Sequence, residues 1–221
     1  MKGLIIESDF VLPDGPQILF DTARNYLKKL DGIDFTPAAE ARFFYGHDYL
    51  EAMTNYFEAL KTKKTPQKAA REIEASFNKA LLSAIPNAVN DDFRQFIATI
   101  AAKGVKIVIA TRVNSEVMSP AFAGILEEGK VGFHWLLSST YGTSTWDYWR
   151  RISQAQQISR MSTMVLTGTA AGVKSAIMGG VGAVGIIRDH VAYQDFGGAN
   201  ELITELTAES AKKVLYAMRV D

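Results

Sequence analysis

Short apolar runs rich in β-branched residues recur at Leu4–Ile6, Lys106–Ala110, His134–Ser138, Thr163–Leu166 and Ala183–Ile187, with amphipathic helical stretches between most of them. Strands alternating with helices predict an α/β fold, a Rossmann-like parallel sheet covered by helices on both faces. Between the first two runs, from about Pro16 to Pro86, the pattern changes. The stretches ILFDTARNYLKKL, HDYLEAMTNYFEALKTKK and TPQKAAREIEASFNKALLSAI carry apolar residues at helical spacing among frequent charges, and no strand interrupts them. A small helical bundle inserted after the first strand is the simplest reading. Thr65-Pro66 fits an N-cap followed by proline at the first helical position, and Gly32 and Gly46 mark loops. Residues 164–187 are long enough to cross a bilayer, but they hold Lys174 and are broken by Gly179-Gly180. A lysine within a spanning helix costs about 2.5–3.5 kcal/mol, so a buried strand, a helix and a second strand are expected there.

Composition then narrows the chemistry. Lys plus Arg and Asp plus Glu each number 24, a net charge of zero, which removes the electrostatic footprint of a nucleic-acid or anionic-membrane binder. There is no cysteine, which excludes disulfides, thiolate metal sites and a cysteine nucleophile. The opening apolar run is too short for a signal peptide, so a cytoplasmic protein is expected. The histidines His47, His134 and His190 are widely separated without a zinc motif, and no G-x-S-x-G is present. Gly180 to Gly185 spells G-x-G-x-x-G, but in the order helix, glycines, strand, the reverse of a dinucleotide site. The aromatics Trp135, Trp146, Tyr148 and Trp149 are expected to pack core and sheet edge.

Ligands of open parallel sheets gather beyond the carboxyl ends of the strands. Here those positions are Glu7-Ser8-Asp9, Thr111-Arg112, Ser139 to Thr145, and Thr167-Gly168-Thr169. A first strand followed by an acidic residue, any residue, Asp, a bulky residue and Val-Leu, then a helical insert and a later strand ending in Thr, resembles the haloacid dehalogenase-like hydrolases with a helical cap. VLTGTAAGVKSAIMGGVGAVGI resembles that family's fourth motif with the helix and strand behind it, ANELITELTAES resembles the helix that closes such chains, and Phe44-Tyr45-Gly46-His47 lies where related caps carry a loop reaching toward substrate. The resemblance spans the whole chain. It implies a core at residues 1–15 and 87–221 and a cap at residues 16–86.

The family's chemistry, carried over position by position, meets an incomplete set. Glu7 stands at the aspartate nucleophile's position, and its extra methylene displaces the oxygens by about 1.5 Å. Asp9 matches the general acid/base and Thr111 the phosphoryl-binding hydroxyl. There is no lysine between Lys130 and Lys174, YGTSTWDYW keeps only Tyr148 and a displaced Asp147 of the usual lysine motif, and Arg150 or Arg151 is not a conservative substitute. Thr167-Gly168 replaces the acidic pair, which leaves magnesium only Glu7 and a main-chain carbonyl near Asp9, so no metal site and no other cofactor is expected.

These positions imply a degenerate active site, with Asp9 and Glu7 as vestigial catalytic candidates. Such a protein would lack ordinary phosphatase activity and bind a small anionic molecule or a protein partner in the cleft between core and cap. Thr111, Arg112, Gly168 and Thr169 are the candidate ligand contacts, and pairing with Glu7 is a second role open to Arg112. The alternative is a weak or altered hydrolase of phosphomonoesters or related substrates using Asp9 and Glu7. A structural, oligomer-forming role is a third reading.

Overall fold

The computed structural model describes residues 1–113, 115–126, 131–135 and 146–220. The chain begins with β1 (Gly3–Glu7) and turns directly into the short α1 (Ser8–Val11). Four helices follow, α2 (Gly15–Asp31), α3 (Pro37–Phe43), α4 (Tyr49–Ala59) and α5 (Pro66–Ala88), with no described strand among them. Then come α6 (Asp91–Ala102), β2 (Lys106–Thr111), α7 (Ser115–Met118), α8 (Ala123–Leu126), β3 (Val131–Trp135) and α9 (Trp146–Ala155). The chain continues through β4 (Thr163–Thr167), α10 (Ala170–Met178), β5 (Gly182–Ile186), β6 (Glu201–Ile203) and α11 (Ala208–Ala217). The six strands form one parallel sheet in the order β3-β2-β1-β4-β5-β6.

Alternation along the strands sends side chains to two cores. Leu4, Ile6, Ile107, Ile109, Leu166 and Val184 join an apolar cluster that runs without a break into the inserted helices through Leu19, Met53, Ile73 and Phe77. Ile5, Val108, Val165 and Ala183 face the other way, onto Trp149 and Ile152 of α9 and Val173 of α10. Local signals end the helices where the sequence places them. The Asp14 side chain accepts from Gln17 N at the start of α2, Gly32 ends it with a left-handed φ of 66°, and Thr65-Pro66 opens α5. α5 continues through Pro86, the residue that marks the expected end of the insert, to Ala88.

Two elements differ from expectation. The segment read as a closing helix from Ala199 begins instead with the edge strand β6, and the helix starts at Ala208 behind a capping box of Thr207 and Ser210. β3 begins at Val131, ahead of His134, and Leu136 to Ser138 of the expected run lie outside the described residues, as do Ser139 to Thr145. Residues 164–187 fold as β4, the nine-residue α10 and β5, and no described helix is long and apolar enough to cross a membrane. Trp149 is fully buried and donates to Ser175 Oγ at 2.7 Å, whereas Trp146 is exposed.

Candidate functional site

The sheet builds outward from β1 through β2 to β3, then the chain returns to lay β4, β5 and β6 on the other side. Strand order therefore reverses between β1 and β4, the position where open α/β sheets hold their ligands. Glu7, Thr111 and Thr167 are the last residues of the central strands β1, β2 and β4. Because α1 starts at the residue after Glu7, the chain turns back over the strand ends and brings Asp9 to the same place.

There the side chains satisfy one another. Arg112 Nη2 donates to Glu7 Oε1 at 2.7 Å, and Thr167 Oγ1 donates to Glu7 Oε2 at 2.5 Å across the switch point. Asp9 Oδ1 accepts from Thr111 Oγ1 at 2.7 Å and from Ser8 Oγ at 3.2 Å. Asp9 Oδ2 accepts from the Arg112 backbone N–H at 2.7 Å and from Arg112 Nη1 at 3.3 Å. Every oxygen of both carboxylates is thus engaged, and Glu7 and Asp9 are wholly inaccessible to solvent. The Phe10 ring lies 5.2 Å from the guanidinium carbon and stacks on Phe77 of α5, so an inserted helix packs against the ring that carries the group. Burial lowers the Arg112 pKa, but the Glu7 and Asp9 carboxylates outweigh it and hold the guanidinium above its ordinary value. Tyr49, at the start of α4 and close enough to feel Arg112 and Asp9, is buried, and its hydroxyl pKa is pushed up by desolvation.

The other candidates are spent on the fold. Gly168 lies against the main chain of α1, where a Cβ would come within 1.9 Å of Phe10 O. Thr169 caps α10, accepting from Gly172 N at 3.0 Å. Arg150 and Arg151 both pair with Asp147 on their own helix, and Lys174 is exposed. The structure thus brings Glu7, Asp9, Thr111 and Arg112 together, with Gly168 and Thr169 at their edge. Sequence reasoning placed Ser8 and Thr167 at the strand ends but assigned neither its donor role, and it missed Tyr49. The hydroxyl at Thr167, on the strand neighbouring β1, was the available signal for its role.

A second buried pair ties the insert to the core. His190, after β5, meets Glu40 of α3 with Nε2 and Oε2 2.8 Å apart, both side chains nearly or wholly buried, and the imidazole contacts the Phe20 ring of α2. Burial disfavours imidazolium, but the hydrogen bond and charge of Glu40, with Asp14 and Asp21 of α2, raise the His190 pKa above 6.5. Burial likewise raises the Glu40 carboxyl pKa, against the pull of His190 and Tyr45. For a histidine raised in the folded state, the stabilisation is complete below the unfolded value of 6.5 and is lost as pH rises through the folded value. Stability measured by urea denaturation is expected to fall with pH above about 6.5, more steeply in the wild type than in His190→Gln. Equal slopes would contradict this assignment.

Neither a protein-family model nor a curated protein sequence matches the chain. Solved structures do. A β-phosphoglucomutase from Clostridium difficile superposes with a TM-score of 0.72 at 13% identity, covering 99% of this chain and 97% of that one. A HAD hydrolase, family IA, variant 3, from Entamoeba histolytica gives 0.72 at 15% identity over 99% and 100% of the two chains. CbbY from Rhodobacter sphaeroides, in complex with phosphate, gives 0.65 at 15% identity over 95% and 96%. Similarity at this identity lies in the fold.

Proposed function

We propose that this chain, which has the haloacid dehalogenase-like hydrolase fold, is a binding protein without the phosphoryl-transfer activity of that fold's hydrolases. One observation carries the reading: the Arg112 guanidinium bridges Glu7 and Asp9, the two residues at the positions of nucleophile and acid/base. Freeing Glu7 for attack means breaking a buried ion pair, a cost of about 3–5 kcal/mol. The extra methylene adds a misplacement of about 1.5 Å, and a displacement of about 1 Å can cost on the order of a hundredfold in rate.

Magnesium does not fit this donor set. It takes oxygen ligands, commonly one or two carboxylates with substrate oxygens, yet each oxygen of Glu7 and Asp9 already accepts an N–H or O–H. Two unit charges of like sign at 4 Å repel by about 4 kcal/mol at an effective dielectric of about 20, and a divalent ion beside Arg112 would feel about twice that. The guanidinium supplies the positive charge that the two carboxylates require.

Binding, of a small anionic molecule or a protein partner, is the role this leaves, and the cysteine-free composition fits a cytoplasmic setting. An anion held by Thr111, Arg112, Gly168 and Thr169 requires Arg112 to exchange Glu7 or Asp9 for the ligand. Purified protein assayed on a panel of phosphomonoesters with magnesium is expected to show no turnover above the uncatalysed background. Turnover abolished by Asp9→Asn would overturn the proposal and make the chain an altered hydrolase using Asp9 and Glu7.

A further inference from the structure

A cavity of about 460 Å³ opens at the opposite end of the sheet, where β4 and β5 begin, and its volume lies in the range of small-molecule sites. Its lining is mixed, with Ser162, Thr163 and Asn200 beside three methionines and Ile177. Met164 and Met218 are nearly buried, while Met161 and Ile177 stand exposed, Met161 at 85%. Methionine's unbranched, polarisable side chain adapts to varied apolar shapes. Two arginines, Arg160 and Arg219, complete the wall, and no carboxylate lines it among the described residues.

Neither arginine has an ion-pair partner among the described residues. The Arg160 guanidinium carbon lies over the turn after α10, 3.5 Å from where a Cβ on Gly180 would stand. Arg219 has a left-handed φ of 55° just past α11, a position where glycine is the usual residue and where an L side chain costs roughly 1–2 kcal/mol. Lys2 donates to the Met218 and Arg219 carbonyls at that helix end, which holds the segment in place.

Methionine side chains beside two guanidinium groups, with no ion-pair partner and no lining acid among the described residues, are complementary to an aliphatic chain ending in an anion. We propose that this cavity binds a small amphipathic carboxylate, its chain against Met161, Met164, Ile177 and Met218 and its carboxylate at Arg160 and Arg219. Guanidinium suits this role because its planar fork matches a carboxylate with two parallel N–H donors. The site is separate from the Glu7–Arg112–Asp9 cluster, which lies at the other ends of the strands.

The test uses the full chain, labelled at its methionine methyl groups, titrated with sodium decanoate below its aggregation threshold and followed by NMR and calorimetry. Saturable one-to-one binding is expected, with shifts at the Met161, Met164 and Met218 methyls and none at Met53 or Met118, which are buried in the core and do not line the cavity. Arg160→Gln/Arg219→Gln is expected to weaken binding about tenfold or more, the equivalent of about 1.4 kcal/mol. Both arginines are exposed, so the double variant should keep the wild-type unfolding temperature. Binding of decanol as tight as that of decanoate would overturn the charge recognition. Absence of saturable decanoate binding would overturn the site, including the case in which a peptide with an apolar C-terminal residue binds instead.

Discussion

Replacing Arg112 by methionine is expected to destabilise the fold by about 3–5 kcal/mol, because it leaves Glu7 and Asp9 buried without the cation that compensates them. In a chain of this size that corresponds to a fall of roughly 6–20 °C in unfolding temperature. The more discriminating result is an order of stabilities. Glu7→Gln added to Arg112→Met removes one of the two stranded charges, so the double variant is expected to be more stable than Arg112→Met alone. If the Arg112 guanidinium did not compensate the two acids, its loss would leave stability nearly unchanged, and adding Glu7→Gln would give no recovery. Chemical denaturation of wild type, Arg112→Met and the double variant measures both the loss and the coupling.

Gly168→Ala is expected to cost about 3 kcal/mol or more, at or beyond the upper end of ordinary overpacking. The new Cβ would stand 1.9 Å from Phe10 O and 2.8 Å from its carbonyl carbon, and these are main-chain atoms that no rotamer change can move. Relief requires α1 to shift, and α1 carries Asp9 away from Thr111 and Arg112 and Phe10 away from Arg112. Gly124→Ala provides the contrast. The nearest obstacle to its Cβ is the far end of the Arg94 side chain at 2.8 Å, so the change is expected to stay within about 1 kcal/mol. Urea denaturation midpoints for the two variants distinguish a backbone clash from a side-chain one. Similar losses would show that the contact between α1 and Gly168 is not the constraint described here.

Much of this fold is legible in the sequence because central parallel strands are buried on both faces. β1, β2, β4 and β5 therefore appear as nearly unbroken apolar runs, within a residue of their ends. β6 is not legible for the converse reason. It has three residues at the sheet edge, Leu202 is 43% exposed, and such a segment cannot be told by pattern from the start of a helix. In the site, the pairing of Arg112 with Glu7 follows from two neighbouring strand ends. That Asp9 is the second partner depends on the turn of α1 immediately after β1, which spacing alone does not give. The Glu40–His190 pair joins residues 150 apart in sequence from two different layers, and no local signal links them.

The central claim is that a guanidinium provides the positive charge at the switch point and leaves no room for a divalent metal. A crystal structure of the full chain grown in magnesium and phosphate tests it most directly. The expected result is Arg112 bridging Glu7 and Asp9 with both carboxylates free of metal. Magnesium coordinated by Glu7, with Arg112 turned away from both acids, would contradict it.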